Sequence, residues 1–126
     1  MTRTRIQWLA LLLIGVAWAT VHAAVDITGR WTAAFETQIG MQEYTYQFRV
    51  KGRTLTGKAA SANGETDIQN GRVDGNTVTF LERFPHQGMT ITITYMGTIV
   101  SADEIKFTRR VGEFATEEFV VTRVTP

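Results

Sequence analysis

Beyond about residue 24, apolar and polar positions alternate with a period of two. Tyr44, Tyr46, Phe48 and Val50 interleave with Glu43, Thr45, Gln47 and Arg49, and Ile91, Ile93 and Tyr95 interleave with Thr90, Thr92 and Thr94. Successive side chains of a strand point to opposite faces, and β-branched and aromatic residues suit a pleated, half-buried surface. Both stretches therefore predict strands with one buried face. Helical spacing is not sustained over three turns anywhere in this part of the chain.

The same period predicts eight strands, at 30–37, 42–51, 54–60, 65–73, 77–84, 89–100, 104–111 and 116–124. Short links join them, among them Lys51-Gly52, Asn63-Gly64, Asp74-Gly75 and the turn from Pro85 to Gly88. Asn-Gly and Asp-Gly tolerate the positive φ of tight hairpins, so each strand is expected to pair antiparallel with the next. Consecutive hairpins with one apolar face each are satisfied by closing into an all-β, eight-stranded antiparallel up-and-down barrel, which leaves no exposed edge. A two-sheet sandwich is the alternative, but its crossing connections usually need longer loops.

Up-and-down order separates the two ends of such a barrel. One end receives Trp31, Val50, Leu55, Val73, Val78, Ile99, Ile105 and Val121 on its inner face and is expected to be plugged by them. The other receives Phe35, Tyr44, Ala59, Thr66, Glu82, Phe84, Met89, Arg109 and Glu117, ringed by loops with Gln38, Asn63, His86, Gln87 and Phe114. Eight aromatic side chains, from Tyr44, Tyr46 and Phe48 through Phe80, Phe84 and Tyr95 to Phe107 and Phe119, are expected to line the interior.

Charge inside a barrel must be paired, wetted or met by a ligand. Glu82, Arg109 and Glu117 are thus expected to form a cluster in the open mouth. The competing readings are an internal salt bridge with no further role, and a bulge that turns these side chains outside. As a binding site, Arg109 would take the polar head of a small organic molecule, acidic or sugar-like, with Tyr44 supplying a hydroxyl and Phe84 an apolar wall. The same mouth could run acid/base chemistry of a hydratase, isomerase, lyase or glycoside type, with Glu82, Glu117 and His86 as candidate catalytic groups. A third reading is a module that docks to another exported protein through Ile39, Met41 and Phe114. His86 also reads simply as a solvated turn residue.

Other chemistries find little support. Beyond residue 24, the one histidine, His86, among scattered carboxylates is no metal set, Ser61 and Ser101 lie in turns away from any triad, and the glycines are spaced as strand punctuation rather than as a phosphate loop. No cofactor is expected. The chain has no cysteine, which excludes disulfides, thiolate metal sites and a cysteine nucleophile.

The first residues change the picture of location. Arg3 and Arg5 precede an apolar run over 6–19, and Val21-His22-Ala23 gives a small-x-small pattern, which together read as an export signal cleaved before Ala24. The run is shorter than the ~20 residues of a membrane-spanning helix. The expected division is a cleaved signal over 1–23 and a barrel domain over 24–126, periplasmic or secreted, with no membrane contact after cleavage. Loss of Arg3 and Arg5 would lower the 13 Lys and Arg residues by two, against 12 Asp and Glu. No basic footprint for nucleic acid is left.

Gly29-Arg30-Trp31 at the first predicted strand, with Arg123 at the last, resembles the G-x-W motif and late arginine of the lipocalins and related calycin barrels. In that family the pair caps the closed end. The stretch from Gly71-Arg72-Val73-Asp74-Gly75 to Phe80, with Ile93 to Gly97 and Asp103 to Phe107, resembles small exported bacterial lipocalin-like domains, most without an assigned function. The resemblance covers about Gly29 to Arg123. It implies a structural cap of Gly29, Trp31 and Arg123. The chain departs from true lipocalins in its shorter length and in lacking a long helix after the barrel. Thr28 to Trp31 also resembles the opening of avidin-type barrels, whose biotin pocket needs several tryptophans, whereas one follows residue 24 here.

Overall fold

The alternating segments form nine strands in the computed structural model, which describes residues 25–125. They are β1 (Gly29–Thr37), β2 (Gly40–Lys51), β3 (Thr54–Ser61), β4 (Gly64–Asp67), β5 (Gln69–Asp74), β6 (Thr77–His86), β7 (Met89–Ser101), β8 (Glu104–Val111) and β9 (Ala115–Arg123). Every pairing is antiparallel, and β1 bonds to both β2 and β9 while β2 bonds to β3, so the sheet closes on itself. Because β4 and β5 are two halves of one stave, the barrel has eight staves. Among the described residues there is no helix.

The broken stave corrects the continuous strand expected over 65–73. Three residue steps on β3, Leu55 to Lys58, face four on the opposing side, Asp67 to Gly71. The extra residue falls at Asn70, whose φ is +51°. Thr66 and Val73 lie an odd number of positions apart in the sequence, and only a bulge lets both point inward. Across the barrel wall Gly57 adopts φ +147°, and a Cβ there would lie 1.7 Å from the Gln47 carbonyl oxygen. A side chain at that position would push β2 and β3 apart.

The link between β6 and β7 is tighter than expected. Pro85 pairs with Thr90 inside the ladder, His86 pairs with Met89, and Gln87 and Gly88 at φ +50° and +76° make a two-residue turn. Two consecutive positive φ angles match the twist of hairpin strands. This hairpin projects past the mouth. Met89 keeps the inward parity of Ile91 and Ile93 but has no opposite wall to meet, and is 70% exposed. It is not a lining residue, contrary to the alternation.

The interior is filled in layers. At the closed end Ile27, Trp31, Leu55, Val78, Ile105 and Val121 are fully buried. The middle is aromatic: Phe80 stacks on Tyr95 with centroids 4.2 Å apart, Phe35 stacks on Phe119 at 4.0 Å, and Tyr46, Phe48 and Phe107 pack edge-on around Phe80. Rings of this size supply most of the apolar burial of a small barrel.

Arg123 closes that end. Its guanidinium lies 4.5 Å over the Trp31 ring and donates from Nε to the Ala102 carbonyl (2.9 Å), from Nη1 to Thr28 (2.8 Å) and from Nη2 to Asp26 (2.8 Å). The Trp31 indole donates to the Ile27 carbonyl at 2.9 Å. A Cβ on Gly29 would sit 2.9 Å from Arg123 Nη1, so the glycine leaves room for the arginine.

Candidate functional site

At the opposite end the aromatic plug stops short, and a cavity of about 360 Å³ opens to the outside. Its size falls in the range of small-ligand pockets. The floor is polar, from Glu82 on β6, Arg109 on β8, Glu117 on β9, Tyr44 on β2 and Thr66 on β4. The walls are apolar, with Phe84, Ile91, Ile93 and Val111, and the rim carries Gln38, Ile39, Asn63, His86 and Phe114.

Register builds this floor. Arg109 lies directly opposite Tyr95 on one side and Glu117 on the other, so the three side chains share one row of the inner face. Glu82 pairs with Ile93, one row higher on the neighbouring stave. Glu82 is 2% exposed and Arg109 5%, and the Glu117 side chain 8%.

Arg109 spends its donors on three different side chains: Nε on Tyr95 Oη at 2.9 Å, Nη1 on Glu117 Oε1 at 3.0 Å and Nη2 on Tyr44 Oη at 2.9 Å. Its Cζ lies 4.9 Å from the Tyr44 ring centroid, with Phe35 at 5.4 Å and Tyr95 at 5.6 Å. Glu82 is held separately. Oε1 accepts from the Thr66 hydroxyl and Oε2 from the Tyr95 hydroxyl. The expected Glu–Arg–Glu cluster is thus corrected to a chain in which Tyr95 stands between Glu82 and Arg109.

Proton counting orients that chain. Tyr95 has one hydroxyl proton, which goes to Glu82, so it accepts from Arg109 and from the Tyr46 hydroxyl 3.1 Å away. Burial, more than any neighbour, pushes the Tyr46 and Tyr95 hydroxyls well above the ordinary tyrosine value. Both remain donors at neutral pH. Burial works against the Arg109 charge, but the Tyr95, Tyr44 and Tyr46 oxygens and Glu117 more than offset it, and the guanidinium holds its proton more tightly than usual.

One polar atom is left over. Glu117 Oε2 is buried without a hydrogen-bond partner. An unsatisfied buried acceptor costs on the order of 1–3 kcal/mol, and more on a charged group. The floor also holds two carboxylates against one guanidinium.

The other residues singled out from sequence are scattered around this floor. Phe84 is half-buried in the wall, and His86 is an exposed rim residue at the tip of β6. Ile39, Met41 and Phe114 are 73%, 63% and 68% exposed. Gln38 Nε2 donates to the Phe114 carbonyl at 3.0 Å, tying two mouth turns together. Sequence reasoning gave no polar role to Tyr46, Tyr95 or Thr66. The signal available was that a tyrosine on the inner face of a barrel must find a partner for its hydroxyl. Among the described residues no three His, Asp or Glu side chains come together to hold a metal ion.

No family model matches the chain, and no curated protein matches it. Among solved structures it is similar to a redesigned β barrel at a TM-score of 0.59 and 15% identity, over 79% of this chain and 92% of that one. It is also similar to a second redesigned β barrel, determined bound to DFHBI, at a TM-score of 0.56 and 13% identity, over 78% of this chain and 94% of that one. At such identities the likeness is one of fold: this chain is a closed antiparallel β-barrel.

Proposed function

We propose that the chain is an exported, lipocalin-like barrel that binds a small organic molecule in its open end. The observation that carries this reading is the cavity of about 360 Å³ with apolar walls over a buried polar floor, the usual build of a small-ligand site. The redesigned barrel bound to DFHBI supports it, since a barrel of this shape accommodates a compact organic ligand. Export rests on the features of residues 1–23, which lie outside the described residues, and the lipocalin-like assignment on Gly29, Trp31 and Arg123.

Two measurements test it. Saturable enhancement of 1-N-phenylnaphthylamine fluorescence at one molecule per chain, abolished by the cavity-filling Ile91→Trp, is the expected result; enhancement that Ile91→Trp leaves intact would refute the site. For export, the intact mass of protein recovered outside the cytoplasm should begin at Ala24, and a mass retaining residues 1–23 would refute cleavage.

Acid/base turnover draws less support from the geometry, because both oxygens of Glu82 are already engaged by Thr66 and Tyr95. Docking of another exported protein is favoured by the exposed Ile39, Met41, Met89 and Phe114 around the mouth. That reading predicts that Met41→Ser, outside the cavity lining, abolishes capture of the partner while leaving the dye titration unchanged.

A further inference from the structure

The floor of the mouth leaves one buried oxygen, Glu117 Oε2, unmet, and sets two carboxylates against one guanidinium. Glu82 has a donor on each oxygen, whereas Glu117 has Arg109 on Oε1 and nothing on Oε2. The Glu117 side chain is 8% exposed and lines the cavity. The terminal torsion of a glutamate is broad and two-fold, so its carboxylate can turn an oxygen toward whatever fills the space above it. Arg109, in contrast, has each nitrogen bonded to a side-chain oxygen and lies against the rings of Tyr44, Phe35 and Tyr95.

From this arrangement we infer that Glu117 is a ligand-binding residue that selects a cationic, N–H-donating head group on an apolar, ring-sized body, such as an arylalkyl ammonium. This rests on the small-molecule reading above and reverses the expectation of an acidic ligand taken by Arg109. An anionic head would bring a third negative charge to a floor with one guanidinium. An ammonium brings the count to two against two, gives Oε2 its missing donor, and leaves the body against Phe84, Ile91 and Val111. Hydrogen bonds with an ionised partner are roughly twice as strong as neutral ones, so the amine should be preferred over a neutral donor of the same shape.

Three probes sharing one ring test this by calorimetric titration: 2-naphthylmethylamine, 2-naphthylmethanol and 2-naphthoate. In the unmodified chain the amine should bind about tenfold or more tighter than the alcohol, with the carboxylate weakest. In Glu117→Gln the amine-to-alcohol ratio should fall to within about threefold. Equal affinities, a carboxylate that binds best, or an amine advantage that survives Glu117→Gln would each overturn the inference while leaving a small-molecule site standing. Absence of binding by all three would overturn the small-molecule reading and the inference with it. The ranking in the unmodified chain is decisive by itself should the variant fail to fold.

Discussion

Each end of this barrel is organised by one arginine lying over an aromatic ring, Arg123 over Trp31 and Arg109 over Tyr44, at 4.5 and 4.9 Å. Each donates from all three nitrogens. The difference is in what accepts. Arg123 bonds to the main-chain carbonyls of Ala102, Thr28 and Asp26, neutral groups fixed by the course of the chain. Arg109 bonds to Tyr95, Glu117 and Tyr44, side chains that end in hydroxyls and carboxylates and can re-engage. The first arrangement locks segments of backbone over a filled core. The second makes a polar floor under an unfilled space. A cap and a candidate site therefore differ in whether the acceptors belong to the backbone or to side chains.

The largest effect should come from removing the arginine whose carboxylate partner is buried with it, Glu117 at 3.0 Å. Arg109→Met strands Glu117 and Tyr95 in the interior, and loss of one member of a buried ionic set typically costs ~3–5 kcal/mol. For a domain of this size that lowers the melting temperature by at least about 12 °C. Adding Glu82→Gln and Glu117→Gln to the same variant should recover much of the loss, and a thermal melt that shows no recovery would break the electrostatic half of the comparison.

Tyr95→Phe comes next. It removes one hydroxyl but leaves Glu82 Oε2, Arg109 Nε and the Tyr46 hydroxyl without their partner, a loss on the order of 2–3 kcal/mol. Tyr46→Phe, which removes only the outermost donor of the chain, should cost about 1 kcal/mol. Similar losses from the two variants in denaturant titration would contradict the bridging role of Tyr95.

Arg123→Met should be milder than Arg109→Met despite the equal number of hydrogen bonds. Its three hydrogen-bond acceptors are neutral carbonyls, its one carboxylate neighbour, Asp103 at 3.7 Å, is 71% exposed, and the Arg123 side chain is itself 21% exposed, so water can replace it at a cost of about 1–2 kcal/mol. Probe affinity at the other end should be unchanged in this variant, and a drop in affinity would show that the two ends are not independent.

The smallest effect is alkaline. The unfolded chain releases its tyrosine protons near pH 10, whereas folded Tyr46 and Tyr95, held well above that value by burial, keep theirs. Fewer protons on the unfolded state means that stability is level below pH 10 and falls as pH rises beyond it. Tyrosinate absorbance during titration should show these two groups ionising only together with unfolding. Their titration in a still-folded protein would show that the aromatic layer admits water.

What could be read in advance followed the range of each signal. Alternation is local, so it placed Glu82, Arg109 and Glu117 on the inner face and Trp31 at the opposite end from them. It could not show that Tyr95 reaches between Glu82 and Arg109, because inward parity says nothing of which side chains meet across staves. The bulge at Asn70 was hidden because neither Gln69-Asn70-Gly71 nor its neighbours break the apolar pattern outright; the geometric clue was that Thr66 and Val73 cannot both face inward in an unbroken strand. Met89 misled for the opposite reason. Its parity is inward, but parity implies burial only where a wall stands opposite, and the β6–β7 hairpin outruns the barrel there. Glu117 Oε2 lay beyond any sequence signal, since an unmet acceptor exists only once every neighbour has been placed.

The central claim is that one end is sealed and the other receives a ligand. Amide chemical-shift mapping of the isotopically labelled protein, titrated in turn with 2-naphthylmethylamine, 2-naphthylmethanol and 2-naphthoate, addresses it most directly. The account predicts saturable shifts confined to the open end, at Phe84, Ile91, Arg109, Val111 and Glu117, with Gly29, Trp31 and Arg123 unmoved. Shifts centred on Trp31 and Arg123, or no saturable shifts at the mouth, would contradict it.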